Sequence, residues 1–193
     1  MKSVLISIQP KWCELIANGS KTIEVRKTKP KLETPFKVYI YCTKGDWLTS
    51  VNGKIQKPNN VVLDLKTNNE IQELNGKVIG EFVCDEIECF TTDYRANKEQ
   101  TERISKLSCV SWLEMAEYEI NSHCLYGWHI SNLVIYDKPR ELSEFRKAGF
   151  LTEEEWLAAL YPNTHCHYEA WAKKFEITRP PQSWCYVESG DTE

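Results

Sequence analysis

The chain has 193 residues, 41% hydrophobic and 27% charged, the make-up of a soluble globular domain long enough to bury a core without staples. Its formal net charge of −4 excludes a global basic field that would draw it to nucleic acid. Its apolar runs are too short to span a membrane, so no membrane partner is expected.

In chain order, Val4-Leu5-Ile6-Ser7-Ile8 reads as a first strand. Its apolar run is too brief for a secretory signal, which points to the cytoplasm. Gln9-Pro10 closes the strand and opens a helix, with proline near the first helical position. Trp12, Leu15 and Ile16 recur at helical spacing and form one buried stripe. Asn18-Gly19 supplies a left-handed stop. A short strand follows over 21–26, placing Thr22, Glu24 and Arg26 on one face and Ile23 and Val25 on the other. Residues 36–42 form a strand rich in aromatic and β-branched side chains.

Residues 44–77 are polar and broken by glycine and proline, and 51–62 reads as an inserted hairpin or long loop. Strand resumes at 78–84 and runs on to Phe90 with a bend. Ser111 and Glu114 form a capping box ahead of a helix reaching about Tyr118. Residues 126–136 are again strand. Thr152 and Glu155 cap a helix around Trp156, Leu157 and Leu160. After Pro180-Pro181, residues 184–187 form a closing strand. Five or six strands, short helices and no βαβ alternation predict an α+β fold, a small, mostly antiparallel barrel with peripheral short helices. Residues 1–145 would hold the barrel, and 146–193 a helical arm and closing strand packed on the same domain.

Charge is unevenly spread. Residues 1–60 hold 11 basic and 4 acidic side chains, residues 61–160 hold 10 and 19, and residues 161–193 hold 3 and 5. A basic amino-terminal third suits a local phosphate-binding patch; a solvated face folded against the acidic middle is the competing reading. The 8 cysteines show no C-x-x-C spacing and, without secretion, are not expected to form disulfides; most of them sit in apolar stretches and read as small buried hydrophobes. His165-Cys166-His167 offers two metal ligands on one strand face. Zinc would need two more, such as Cys124 and His123, and no spacing joins them. No metal or cofactor is expected.

Ser7-Ile8-Gln9-Pro10-Lys11-Trp12, followed by Gly19-Ser20-Lys21-Thr22-Ile23-Glu24-Val25-Arg26, resembles the ASCH domain, the activating signal cointegrator homology module. Gly19, Lys21, Glu24 and Arg26 match its G-x-K-x-x-E-x-R motif, and Gly127-Trp128-His129-Ile130 matches its late strand. The resemblance covers about residues 3–145, and the ending 177–186 is similar to that of phage and prophage members from Gram-positive bacteria. It implies a PUA-like β-barrel with an RNA- or nucleic-acid-binding cleft beside the motif. It also admits hydrolysis of N4-acetylcytidine, as in some small members.

In the binding reading, Lys21 and Arg26 neutralise phosphate and Glu24 accepts from an exocyclic amine. Trp128 and Trp184 stack on bases, and His129 donates a hydrogen bond. Trp12, Trp112 and Trp156 sit at helical positions that predict core, and Trp47 lies in the polar insertion. An internal Glu24–Arg26 ion pair is the competing structural role. In the hydrolase reading Lys21 is the motif lysine. Glu24 occupies the place of the family's threonine, Thr22 is its nearest substitute, and Glu114 or Glu117 would serve as the downstream glutamate. A third reading is an accessory protein that docks a protein partner through its acidic middle. The expected partner is RNA, another single-stranded nucleic acid or a modified nucleoside.

Overall fold

The computed structural model describes residues 2–45, 49–51, 54–56, 72–93, 97–149, 151–159 and 168–188. The core is a five-stranded sheet built on two apolar strands, β1 (Lys2–Ile8) and β3 (Phe36–Cys42), joined through helix α1 (Pro10–Ala17) and strand β2 (Ile23–Arg26). β1 and β3 pair in parallel, Val4 opposite Val38 through Ile8 opposite Cys42. Both read as nearly continuous apolar runs, because both faces of the sheet are covered.

Strand alternation divides these residues between two cores. Val4, Ile6, Ile8, Val38 and Ile40 face one cluster, which includes Cys13 and Ile16 of α1. Leu5, Tyr39 and Tyr41 face the other, together with Phe145 and Ile177. β7 (Val78–Cys84) flanks β3, β10 (Ser131–Arg140) flanks β7, and β11 (Trp184–Glu188) pairs antiparallel with β1. Gly80 is required where β10 crosses β7, since a Cβ there would lie 2.3 Å from the Val134 carbonyl oxygen.

The second sheet orders β2–β9–β8, with β8 at Ile87–Phe90 and β9 at Leu125–His129. The chain reaches it from β7 through two residues and leaves it for β10 through Ile130, so the sheets share two corners. Trp128 of β9 fills the core between them. On the far side, Ile23, Val25, Phe90 and Leu125 pack against Ile104 and Met115. Those two come from helices α2 (Lys98–Ser108) and α3 (Trp112–Glu119).

The α+β class is as predicted, and every described strand pairing except β1–β3 is antiparallel. No closed barrel forms among the described residues. They make a five-stranded sheet, a three-stranded sheet and a small sheet of β4 (Thr49–Val51), β5 (Lys54–Gln56) and β6 (Gln72–Glu73). Within the insertion, β4 and β5 pair antiparallel, while 52–53 and 57–71 lie outside the described residues.

The Ser111–Glu114 capping box is present in both directions. Thr152 and Glu155 cap α4 (Glu153–Ala159) reciprocally. Helix α2 is an addition to the predicted set. Its buried residues are Thr101, Ile104 and Ser108, too small and polar a stripe to stand out in hydrophobic periodicity. A short helix α5 (Tyr168–Ala172) precedes β11.

Candidate functional site

The motif strand alternates as its sequence predicts. Ile23 and Val25 are buried under α2 and α3, which turns Glu24 and Arg26 toward β1 and α1. Ahead of them α1 stops at Gly19, with a positive φ of 78°. The Lys21 amide closes the turn on the Leu15 carbonyl, and the lysine side chain runs inward to 2% exposure. Its Nζ donates to the Ser108 carbonyl at 2.7 Å, at the end of α2, where helix carbonyls lack partners and carry partial negative charge.

Glu24 sits between two cations. Its Oε2 lies 3.3 Å from Lys21 Nζ, an ion-pair distance without hydrogen-bond alignment. Its Oε1 lies 3.0 Å from Arg26 Nη2. That same Nη2 donates to the Ser7 carbonyl at 2.6 Å, so the arginine also ties β2 to β1. Arg26 Nε is buried with no hydrogen-bond partner among the described residues. The cation–anion–cation row carries one net positive charge and unused polar capacity. The competing structural role predicted for Glu24 and Arg26 is therefore present in the fold, alongside their position in a cleft.

That cleft encloses about 390 Å³, with Lys21, Glu24 and Arg26 in its lining. Ser7, Gln9 and Trp12 come from one side, Glu114, Met115 and Tyr118 from α3 opposite, and Val25, Thr43, Val110 and Gln182 complete the lining. Trp12 is half-buried, with the Lys11 ammonium 4.1 Å and the Lys21 ammonium 5.1 Å from its ring centre. Tyr118 is 39% exposed and lies under the Lys27 ammonium at 4.9 Å. Two aromatic faces with cations beside them thus border a charged floor. Glu114 titrates below the usual carboxylate range because the Ser111 hydroxyl and amide donate to it, with Lys11 adding a smaller attraction.

The other predicted residues go elsewhere. Trp128 is fully buried, packed edge-on against Phe36 and tilted against Trp184, each with ring centres 6.0 Å apart. This corrects its reading as a stacking platform, since it fills the gap between the sheets and offers no free face. Trp184 donates from Nε1 to Thr28 Oγ1 at 3.0 Å and packs on Tyr186, away from the cleft lining. His129 Nε2 lies 2.9 Å from Glu88 Oε1. The other oxygen of Glu88 meets Arg103 and Gln100, so this histidine belongs to a network joining the second sheet to α2. Thr22 is exposed and contributes only backbone bonds, to Leu107 and Ile130.

Of the two glutamates considered, Glu114 lines the cleft and Glu117 faces solvent on α3. Trp156 is buried as predicted, whereas Trp112 is 42% exposed. Trp47, His165, Cys166 and His167 lie outside the described residues. Sequence reasoning passed over Trp12, Tyr118 and Gln182 as cleft residues. The only cue was the Gln9-Pro10-Lys11-Trp12 run, which turns α1 back across β2.

No family model matches the sequence, and no curated protein matches it. Solved structures do. The ASCH protein from Zymomonas mobilis is 15% identical with a TM-score of 0.55, covering 97% of this chain and 88% of that one. Two single-residue variants of that protein give TM-scores of 0.56 and 0.55 at 15% and 14% identity, over 98% and 97% of this chain and 92% and 89% of theirs. At such identity the likeness is one of architecture, and it agrees with the motif Gly19, Lys21, Glu24 and Arg26: the chain has the ASCH fold.

Proposed function

We propose that this protein is a cytoplasmic RNA- or nucleic-acid-binding module that takes one unit of a single strand, or a modified nucleotide, into the cleft over Lys21, Glu24 and Arg26. The carrying observation is the convergence of that buried charged row with two part-exposed aromatic rings in one cleft. The row's surplus positive charge suits a phosphate or an electron-rich base edge. Trp12 and Tyr118 offer π-faces to a base, an interaction that tolerates any sequence. Lys11 and Lys27 lie beside those rings and in this reading neutralise the flanking phosphates. The same reading carries a PUA-like ancestry and a phage or prophage origin as further proposals.

The test is fluorescence anisotropy with a labelled single-stranded RNA at several salt concentrations. Affinity falls with salt, with a log–log slope of about −0.7 for each phosphate neutralised. Lys11→Ala reduces the slope by about that amount. Salt-independent binding, or full affinity in both Lys11→Ala and Arg26→Ala, counts against the reading.

Glu114 favours one alternative, an amidohydrolase acting on N4-acetylcytidine-like nucleosides, because it shares the cleft with Lys21. Against it, the lysine Nζ is already engaged by the Ser108 carbonyl and Glu24, the arrangement of a structural cation more than of a free nucleophile. Thr22 also points out of the cleft. Incubation with N4-acetylcytidine and chromatography for cytidine decides between them, and release of cytidine that is lost in Glu114→Gln would reverse the preference.

A further inference from the structure

Outside the cleft, one junction pairs two reachable thiols. In the β8–β9 ladder Cys89 stands opposite Tyr126. Side chains on one sheet face repeat every second residue, so Cys124, two before Tyr126, is the diagonal neighbour of Cys89 on the same face. Among the described cysteines Cys89 is the exposed one, and Cys124 is part-exposed, whereas Cys13, Cys42 and Cys84 are buried.

The junction is already drawn together without a covalent bond. Thr92, just beyond β8, donates its amide at 2.8 Å and its hydroxyl to the Glu119 carboxylate at the end of α3. The Ser122 hydroxyl closes the following turn on the Cys124 carbonyl at 2.7 Å. The Cys124 sulfur is the largest influence on Cys89, pushing its thiol up to about 11, with burial adding and Lys29 opposing. Cys124 is thus both the diagonal neighbour of Cys89 across the ladder and the first influence on its thiol.

We propose that Cys89 and Cys124 are a modification site, a dithiol that closes reversibly to a disulfide by exchange with a low-molecular-weight disulfide. One protein thiolate attacks a sulfur of the small disulfide, forming a mixed disulfide and expelling one thiolate. The second protein sulfur, its proton lost to solvent, attacks the capped sulfur and expels the other. Two protein thiols are oxidised and one small disulfide is reduced to two thiols. Cys124 lies one residue ahead of β9, outside the β8–β9 register pairs, and closure requires its Cα to reach the short separation a disulfide needs. The closed ring encloses residues 90–123, hence all of α2 and α3. It would fix the helices that supply Ser108 to Lys21, and Met115 and Tyr118 to the cleft. The pair stands independently of what that cleft binds.

The experiment exposes the folded, reduced protein to oxidised glutathione, quenches with acid, and reads intact mass and a non-reduced peptide map. The expected product lacks two hydrogens and yields a Cys89–Cys124 cross-linked peptide that dithiothreitol removes. Closure quickens about tenfold per pH unit from neutral to mildly alkaline solution, following the thiolate fraction. Cys89→Ser or Cys124→Ser stops at a single glutathione adduct at this junction, whereas Cys109→Ser closes normally. Recovery of Cys89 and Cys124 from the unsubstituted protein as separate peptides, capped or unmodified, overturns the proposal. So does a cross-link that joins either of them to another cysteine.

Discussion

Lys21, Glu24 and Arg26 hold one another in place at 2–14% side-chain exposure, and their burial decides what removing one of them does. Taking away one member of a buried ion pair leaves an uncompensated charge and costs about 3–5 kcal/mol. Lys21→Met is expected to lower stability by that order in urea unfolding, and Lys21→Met/Glu24→Gln by less than the sum of the single changes. Additive losses would show that the two groups do not interact. The two tryptophans divide the other way. Trp128→Ala empties the space between the sheets and costs about 3–5 kcal/mol of stability. If the cleft binds RNA as proposed, Trp12→Ala is instead expected to weaken single-stranded RNA binding by about 1–3 kcal/mol, with the smaller effect on folding. The alternation of charged and apolar residues in 21–26 was legible in the sequence because a strand has only two faces. The partner of Lys21 was not, since the Ser108 carbonyl is 87 positions away on a helix with no clear apolar stripe. Trp128 was misassigned for a related reason: alternation separates it from His129 without saying which of the two faces the core.

Among the elements, α3 is the cleft wall whose start is written in the sequence. Ser111 Oγ accepts from the Glu114 amide while Glu114 Oε2 accepts from the Ser111 amide and hydroxyl. Ser111→Ala is expected to cost about 1 kcal/mol near neutral pH, read by thermal or denaturant unfolding. Part of that difference depends on pH. The folded state holds Glu114 below its ordinary value of 4.5, so its contribution is fully present above that value. It is lost as pH falls through the lower folded value, where the free chain has already taken up its proton. The gap between unsubstituted protein and Ser111→Ala should therefore narrow below about pH 4.5, and a gap that widens there would contradict this cap. The sequence located α3 and α4 by their caps and missed α2, although Asn97 accepts from the Gln100 amide at its start. A cap without an apolar stripe behind it carries little signal, and α2 meets the core chiefly through Ile104.

In the molecule as a whole, the two sheets and the carboxy-terminal segment are interdependent. β11 covers the β1 edge through five register pairs, Lys2 with Glu188 through Ile6 with Trp184. Val187 is fully buried beside Leu5 and Tyr39. Just before β11, the Pro181 carbonyl accepts from the Ser7 hydroxyl at 2.6 Å and the Ser183 carbonyl from the Ser7 amide at 2.9 Å. Gln182, between them, lines the cleft. Ser7 is also the residue whose carbonyl receives Arg26. One short segment thus closes a sheet edge, seals a core and braces the strand that holds the charged row. The sequence showed this segment as a closing strand after two prolines, but not which edge it covers, because nothing local encodes a pairing with residues 2–6. Truncation after Pro180 would bare an edge made of Val4, Leu5 and Ile6, a surface prone to pair with other chains. The expected result is a chain that aggregates, or that lacks a cooperative thermal transition, with RNA binding lost along with the fold. A truncated chain that still unfolds in one sharp transition and still binds would instead make β11 an appendage, and the support of the cleft would have to come from α1 and α3 alone.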